Sequence, residues 1–395
     1  MGAGQDSAGG NKMAKQKKAR TAKRRAPNSA ADSGAERAKP AAAALQRSIE
    51  RLDAQIVELC NQRAQLARDM GQQKQRTGAD VYAPEREQSV VDRAVQFSGG
   101  PLDARCIRAV FRELVSGARA LAYPLRVAYL GPQFTYSHLA AIHRFGQSAH
   151  LVPVATIAAV FEEVTQGQSR FGVVPIENST DGRVSDTLEM FADTSARICG
   201  EVPLHIHHQL LCVGHRQQIT KVYSKPQAIS QCRNWLARHL PDARSVEVAS
   251  TADAARRAKL TPNNAAIASR QAAVNYGLPL LAENIEDNPG NLTRFAVIGT
   301  AAADRTGSDK TSLMFEISHR TGALADVTAI FKRNRLNMTW IESFPIRGAM
   351  GRYLFFVEFV GHQQDLRARR ALQAIGKKTV RLEVLGSYAR RDPIG

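Results

Sequence analysis

From Leu45 onward, apolar residues return at alternating steps of three and four through Ile49, Leu52, Ile56 and Leu59, and the series resumes at Leu66 and Met70. That spacing places them on one stripe of a long helix. Turn-forming residues between Thr77 and Pro84 end it. A second helix is predicted from about Glu85 to Phe97, and Ser98 to Pro101 separate it from a third that ends near Leu121. Three helices with so long a first member make an open layer rather than a closed globule, so helices from a second subunit are expected to complete it.

After Tyr123-Pro124 the pattern changes to short β-rich runs, RVAYL at 126–130, FGVVPI at 171–176 and AAIA at 265–268, separated by helical stretches. Strands alternating with helices predict an α/β domain, running to about Ile298. Thr300 to Asp309 are small and polar and read as a linker. Beyond it the order is strand (Thr311 to Ser318), helix (Ala323 to Asn334), strand (Met338 to Ile346), strand (Arg352 to Val360), helix (Asp365 to Ile375) and strand (Val380 to Leu385). This βαββαβ order is the ferredoxin-like α+β arrangement.

With 395 residues, two to three domains are expected. Apolar residues are 44% and charged residues 23%, enough for ordinary cores. No apolar run approaches the roughly 20 residues of a membrane helix, and no secretory signal opens the chain, so a soluble, cytoplasmic protein without membrane partners is expected. Cys60, Cys106, Cys199, Cys212 and Cys232 are widely spaced and odd in number, which argues for free thiols rather than disulfides or zinc. The net charge of +18 is uneven, because residues 1–40 hold ten Lys/Arg against Asp6, Asp32 and Glu36. This Ala-, Gly- and Ser-rich segment reads as a disordered basic tail. It lacks interleaved aromatics and any base-reading element, so a nucleic-acid partner is not expected.

On the first helix Arg63 lies on the apolar stripe and Lys74 follows eleven residues later on nearly the same face. Buried cations without carboxylates in the stripe are costly, which points to an anionic ligand; the alternative is that both side chains snorkel to water. Arg86 and Glu87 open the next helix. With these spacings residues 41–122 resemble a chorismate mutase domain of the helical type. The resemblance implies that cations clamp the two carboxylates of chorismate while a Lys and a Gln or Glu hydrogen-bond its ether oxygen, and it assigns these roles to Arg63, Lys74, Arg86 and Glu87. The chain departs from the pattern at Gln46, where the family has Arg, and at Ala118 and Ala122, where it has a small polar residue and then Gln or Glu. Alanine cannot donate to the ether oxygen. Losing one such donor costs about 100- to 1,000-fold in rate, roughly 3–4 kcal/mol, so mutase activity is expected to be weak or absent.

The α/β domain carries four polar segments. RVAYLGPQFTYSHLAA reads as strand, tight turn and helix, with Thr135 at the helix start. GVVPIENSTDGRVSD places Asn178 and Ser179 at the end of an apolar strand. VYSKPQAISQC brings Ser224 and Gln231, and NLTRFAVIG puts Thr293, Arg294 and Phe295 at the entrance to another strand. Polar groups at strand ends are where α/β sheets hold ligands, and where helices are capped. Together the segments resemble the prephenate dehydratase family across residues 125–300. That resemblance implies two α/β lobes with prephenate in the cleft, converted to phenylpyruvate, carbon dioxide and water without a metal or redox cofactor. It assigns Thr293 as donor to the departing hydroxyl, with Arg294 and Phe295 in the same catalytic segment. Arg294 organises the site or binds a carboxylate, and Thr135, Asn178, Ser179, Ser224 and Gln231 bind substrate. Phe134 stands where the family turn has a second glycine, so the backbone there must avoid positive φ or accept strain.

The run LHIHHQL, with His205, His207 and His208, has no Cys or carboxylate at ligand spacing, and no metal is expected there. Residues 311–388 resemble an ACT domain, an amino-acid-sensing module. The resemblance implies that L-phenylalanine acts as effector at Gly322, Ala323 and Leu324 and at Glu342 and Ser343, with Phe344 in place of the family's arginine. A helical layer and an ACT unit together imply a homodimer or higher homo-oligomer. The competing function is an amino-acid-binding regulatory protein whose catalytic domains have decayed; the intact Thr293-Arg294-Phe295 and Glu177-Asn178-Ser179 segments argue for the enzyme.

Overall fold

The computed structural model describes residues 29–77, 84–346 and 352–394. Within these the chain divides into two units, one ending at Asn61 and the other beginning at Gln62. Three helices come first: α1 (Ser29–Arg76), α2 (Pro84–Phe97) and α3 (Ala104–Ala122). Helix α1 begins sixteen residues before Leu45, inside the segment expected to be an unstructured tail. The run from Ser29 to Leu45 is rich in alanine, the strongest helix former, and this carries the helix backward. The rest of the expected tail, 1–28, lies outside the described residues. The apolar stripe of α1 is open to solvent, with Leu45, Ile49, Leu52, Ile56, Leu59, Leu66 and Met70 between 51% and 71% exposed.

The α/β domain follows as β1 (Arg126–Leu130), α4 (Tyr136–Phe145), β2 (His150–Val154), α5 (Ile157–Thr165), β3 (Phe171–Asn178), β4 (Gly182–Arg183), α6 (Ser185–Met190) and β5 (Arg197–His205). A second lobe holds β6 (Gln209–Cys212), β7 (Lys221–Ser224), α7 (Pro226–Gln231), α8 (Arg233–His239), β8 (Arg244–Glu247), α9 (Thr251–Leu260), β9 (Asn264–Ala268), α10 (Arg270–Tyr276) and β10 (Leu280–Ala282). The chain then returns to the first lobe in β11 (Leu292–Gly299). The first sheet runs β2-β1-β3-β11-β5 with β4 beside β3, and the second runs β10-β6-β9-β7-β8. β11 lies antiparallel to both its neighbours, which sets Thr293 opposite Asn178 on one side and Leu204 on the other. Two crossings therefore join the lobes, 206–208 and 283–291, and Ile206 N–H bonds Asn291 O while Ile285 N–H bonds His208 O, both at 2.9 Å.

The last domain is β12 (Asp309–Glu316), α11 (Ala323–Arg333), β13 (Met338–Pro345), β14 (Tyr353–Val360), α12 (Leu366–Gly376) and β15 (Arg381–Ala389). Its sheet order, β13-β14-β12-β15, is that of a ferredoxin-like unit. One apolar core is common to this sheet and the first lobe: Met314, Phe344, Phe356 and Leu385 pack with Ile157, Phe161, Ile176 and Ile298. Gly386 permits the approach, since a Cβ there would meet Ile198 O at 1.9 Å. Helix α3 docks on the first lobe through Ser116, whose Oγ donates to Phe145 O at 2.9 Å, and Arg119, which donates to the same carbonyl. Two donors, one of them a cation, thus satisfy the C-terminal end of α4.

Candidate active site

The site forms where lobe one meets lobe two, from residues up to 115 positions apart. Thr293, at the start of β11, places its Oγ1 2.8 Å from Asn178 Nδ2 at the end of β3. Asn178 also donates to Asn291 Oδ1 at 3.0 Å, while its own Oδ1 accepts the main-chain N–H groups of Thr180 and Asp181 at 2.9 and 3.0 Å. Main-chain N–H groups can only donate, so the Asn178 oxygen faces them and its NH2 faces Thr293. The threonine hydroxyl is then an acceptor from Asn178, and its own proton is free to be given to another group. From lobe two, Gln231 at the end of α7 reaches across, its Nε2 donating to Asp181 Oδ2 at 2.8 Å and its Oε1 accepting from Asn291 Nδ2 at 2.8 Å. Ser179 joins through the backbone: its N–H donates to Leu292 O at 2.8 Å and its Oγ accepts Leu292 N–H at 2.9 Å. The structure thus brings Thr293, Asn178, Ser179 and Gln231 together with Asn291, which the sequence places in the same loop as Thr293, and adds Asp181, which the sequence reading did not single out.

Arg294 does not line this cluster. Successive strand residues face opposite sides, and with Thr293 toward the cleft the arginine turns to the ACT domain. Its guanidinium meets Glu177 at 2.7 Å, Glu358 at 2.8 Å and Glu201 at 3.4 Å, and lies 5.3 Å over the Trp340 ring. Against the carboxylate-binding alternative, Arg294 is engaged by the protein's own carboxylates and is not presented to the Thr293 cluster. Phe295 is likewise a core residue, 2% exposed among Val127, Tyr129, Val173 and Val202. Ser224 is 0% exposed and gives its hydroxyl to Ile267 O at 2.7 Å, so it braces lobe two instead of meeting substrate. Thr135 caps α4, its Oγ1 accepting from His138 N–H at 3.4 Å and donating to Pro132 O at 2.9 Å.

At Phe134 the backbone accepts strain, with φ of +68°. Its N–H donates to His138 Nδ1 at 3.1 Å, its carbonyl accepts from Ser269 Oγ at 3.3 Å, and its ring meets those of His138 and Tyr276 edge-on at 5.6 and 5.8 Å. Ser269 and Tyr276 belong to lobe two, so the strained residue joins the lobes. Positive φ costs a non-glycine residue about 1–2 kcal/mol, and each aromatic contact returns about 0.5–1.5 kcal/mol besides the ring's burial. Urea unfolding should therefore rank parent above Phe134→Gly, which loses the ring and the strain, and that above Phe134→Ala, which loses the ring and keeps the strain. An alanine variant as stable as the glycine variant contradicts this balance.

The histidine run has a carboxylate after all: the fold brings Glu286 from 79 positions away to His207 Nδ1 at 2.7 Å and to His208 N–H at 2.8 Å, tying the two crossings together. Burial holds His208 below the usual histidine value, so it is neutral.

In the helical domain, Arg63 and Lys74 are half-buried on α1, Arg86 is exposed and Glu87 half-buried on α2. Glu87 pairs with Arg119 at 2.6 Å, a partner the sequence reading missed, and burial raises its pKa against the opposing pull of that arginine. Lys74 lies close enough to Glu87 for its charge to oppose the rise in that carboxyl's pKa as well. Gln46 turns to Glu50, at 3.5 Å, and Ala118 is buried in α3. Beside Glu87 and Arg119 a cavity of about 460 Å³ opens toward His143, Val202 and Arg391. Desolvation and the nearby Arg112 and Arg105 hold His143 down to about 4.

In the ACT domain Gly322 takes φ of +78° at the start of α11, followed by buried Ala323 and half-buried Leu324. Along β13 the residues Trp340, Glu342 and Phe344 face the first lobe, and Glu342 pairs with Arg183 at 2.8 Å. Glu342 is thus tied to the α/β domain, whereas Ser343, on the opposite face of the edge strand, is exposed.

Three family models match in sequence: chorismate mutase type II at residues 45–123, prephenate dehydratase at 127–303 and ACT domain at 311–377. A bifunctional chorismate mutase/prephenate dehydratase of Stutzerimonas stutzeri is 44% identical over 355 residues, 88% of this chain and 97% of the relative. That of Pseudomonas aeruginosa is 43% identical over the same shares. The crystal structure of a prephenate dehydratase from Arthrobacter aurescens in complex with L-Phe superposes with a TM-score of 0.63 at 33% identity, covering 67% of this chain and 90% of that one. Helical layer, two-lobed cleft and ferredoxin-like unit, in that order and at that identity, make this chain a member of the bifunctional chorismate mutase/prephenate dehydratase family.

Proposed function

We propose that the chain converts prephenate to phenylpyruvate, carbon dioxide and water, under feedback by L-phenylalanine. The observation that carries this reading is the hydrogen bond from Asn178 to Thr293, which leaves the Thr293 proton free for the departing ring hydroxyl. The C–O bond breaks as that hydroxyl takes up one proton, passed from solvent through the Thr293 hydroxyl, and leaves as water; the C–C bond to the ring carboxylate breaks as carbon dioxide leaves, and its electron pair makes the ring aromatic. Charge moves onto the leaving oxygen in the transition state, so a donor fixed there stabilises it more than the ground state. With Arg294 engaged elsewhere, the α4 amides receive a substrate carboxylate, and Gln231 Nε2 receives the other in exchange for its 2.8 Å bond to Asp181.

Chorismate conversion is the slower activity, since Gln46, Ala118 and Ala122 offer neither the clamp nor the ether donor. The open stripe of α1 and the exposed face of β13 are covered by a second copy, and phenylalanine binds between copies at Gly322, Ala323, Leu324 and Ser343. The L-Phe complex of the Arthrobacter relative supports that effector. No described helix is long and apolar enough to cross a membrane, in keeping with a cytoplasmic enzyme.

The test is to supply the purified protein with prephenate and with chorismate separately, follow phenylpyruvate, and repeat with phenylalanine. Prephenate turnover that falls with phenylalanine, and slower chorismate turnover, are expected. Absence of prephenate turnover removes the proposal, and equal turnover of both compounds removes the ranking of the two sites.

A further inference from the structure

Gln231 is the group that lobe two offers to the catalytic cluster, and an amide has two ends of opposite polarity. One end donates to Asp181 at 2.8 Å and lies 3.4 Å from Asn178 Oδ1. The other, Oε1, accepts from Asn291 Nδ2 at 2.8 Å and faces His208 Nε2 at 2.9 Å. An amide oxygen cannot donate, so the hydrogen on that bond belongs to His208 Nε2. His208 Nδ1 and His207 O both lie within reach of the single Tyr136 O–H proton, at 3.2 and 2.7 Å, so a bare Nδ1 shares that donor with the carbonyl. The ring is 2% exposed and is anchored by Glu286 through its own main-chain N–H.

We propose that His208 is a positioning residue for the dehydration: by donating from Nε2 to Gln231 Oε1 it forces the NH2 end of Gln231, and not its oxygen, toward the cleft. The consequence follows from charge. Prephenate carries two carboxylates, so an amide presenting its nitrogen attracts substrate and one presenting its oxygen repels it. A flipped Gln231 would also set its oxygen against the Asp181 carboxylate and its NH2 against that of Asn291. His208 acts at one remove, through Gln231, and does not itself touch the reacting atoms. The inference rests on the proposed dehydratase reading for its substrate, and not for its tautomer.

Two measurements test it. In His208→Gln the side-chain nitrogen lies where the imidazole Nε2 lies, so the donor survives; in His208→Met a similar volume remains without it. The glutamine variant is expected within about threefold of the parent in KM for prephenate, and the methionine variant about tenfold higher, the loss typical of one hydrogen bond, with a smaller change in kcat. Parent-like KM in the methionine variant, or equal damage in both, overturns the proposal. Independently of substrate, nitrogen-15 NMR of the parent at pH 7.5 is expected to show His208 protonated at Nε2 and bare at Nδ1. The opposite tautomer overturns the proposal even if neither variant folds. A parent that shows the expected tautomer and no prephenate turnover leaves this wiring standing and removes the dehydratase reading instead.

Discussion

Thr293→Ala is expected to lower prephenate turnover by about 100-fold or more, the usual cost of deleting one transition-state donor, while the protein unfolds at nearly the parent temperature. The two outcomes separate because the hydrogen-bond cluster survives the change. Asn178 Nδ2 loses Thr293 Oγ1 and keeps Asn291 Oδ1, and its oxygen keeps the two main-chain donors of Thr180 and Asp181. No buried polar group is left without a partner, which is what makes most such deletions destabilising. KM should move far less than kcat, because the lost bond forms as the hydroxyl departs and not when prephenate binds. Thr293→Ser, which keeps the hydroxyl, should recover most of the rate. Turnover unchanged in the alanine variant would mean that the leaving oxygen is served by another group, and the proposed chemistry would have to be rebuilt around it.

How far the sequence foretells this site depends on the range over which each feature is encoded. Periodicity and turn residues are local. They place β1 at Arg126–Leu130, α2 within a residue of its bounds and the whole βαββαβ order of the last domain. The extra helix from Ser29 is a local feature too, masked by reading a charged, alanine-rich segment for its charge rather than its propensity. Facing direction is only partly local. Strand alternation already says that Thr293 and Arg294 cannot both enter one cleft, and the structure turns the arginine away; what alternation cannot say is that Glu358, 64 positions on, waits for it. The same limit hides Asp181 and Glu286, and the partners of Asn291 and His208, which lie 23 to 113 positions away. Phe134 is the reverse case. A bulky residue in a glycine position announces strain at once, and beside the local contacts of His138 those that hold it come from Ser269 and Tyr276, more than a hundred residues later.

Arg294→Met is expected to destabilise the protein by about 3–5 kcal/mol, the cost of removing one partner from a buried ionic cluster, and to leave KM for prephenate within a few-fold of the parent. The arginine side chain is 16% exposed, and it faces Glu358, 1% exposed, and Glu201, 7% exposed. Lys310 stays behind at 2.5 Å from Glu201 and 3.2 Å from Glu358, and Tyr388 and Ser312 still donate to Glu358 at 3.0 and 3.1 Å, so one cation is left to balance two buried carboxylates. Burial alone would raise the pKa of Glu358; Arg294 and Lys310 outweigh it and hold the carboxyl below its ordinary value. A group with a depressed folded pKa contributes stability that is complete above its unfolded value and is lost as pH falls through the folded one. The parent should therefore lose this part of its stability in acid below the ordinary carboxylate range, and Arg294→Met should show a shallower fall there. Arg294→Met combined with Glu358→Gln removes the orphaned charge and should regain part of the stability, a coupling that a double-mutant cycle reads directly. Thermal or urea unfolding decides the matter together with KM. A variant that unfolds like the parent but binds prephenate 100-fold more weakly would return Arg294 to the cleft as a carboxylate ligand, and a stable variant with parent-like KM would show that the cluster contributes nothing to holding the ACT domain against the first lobe.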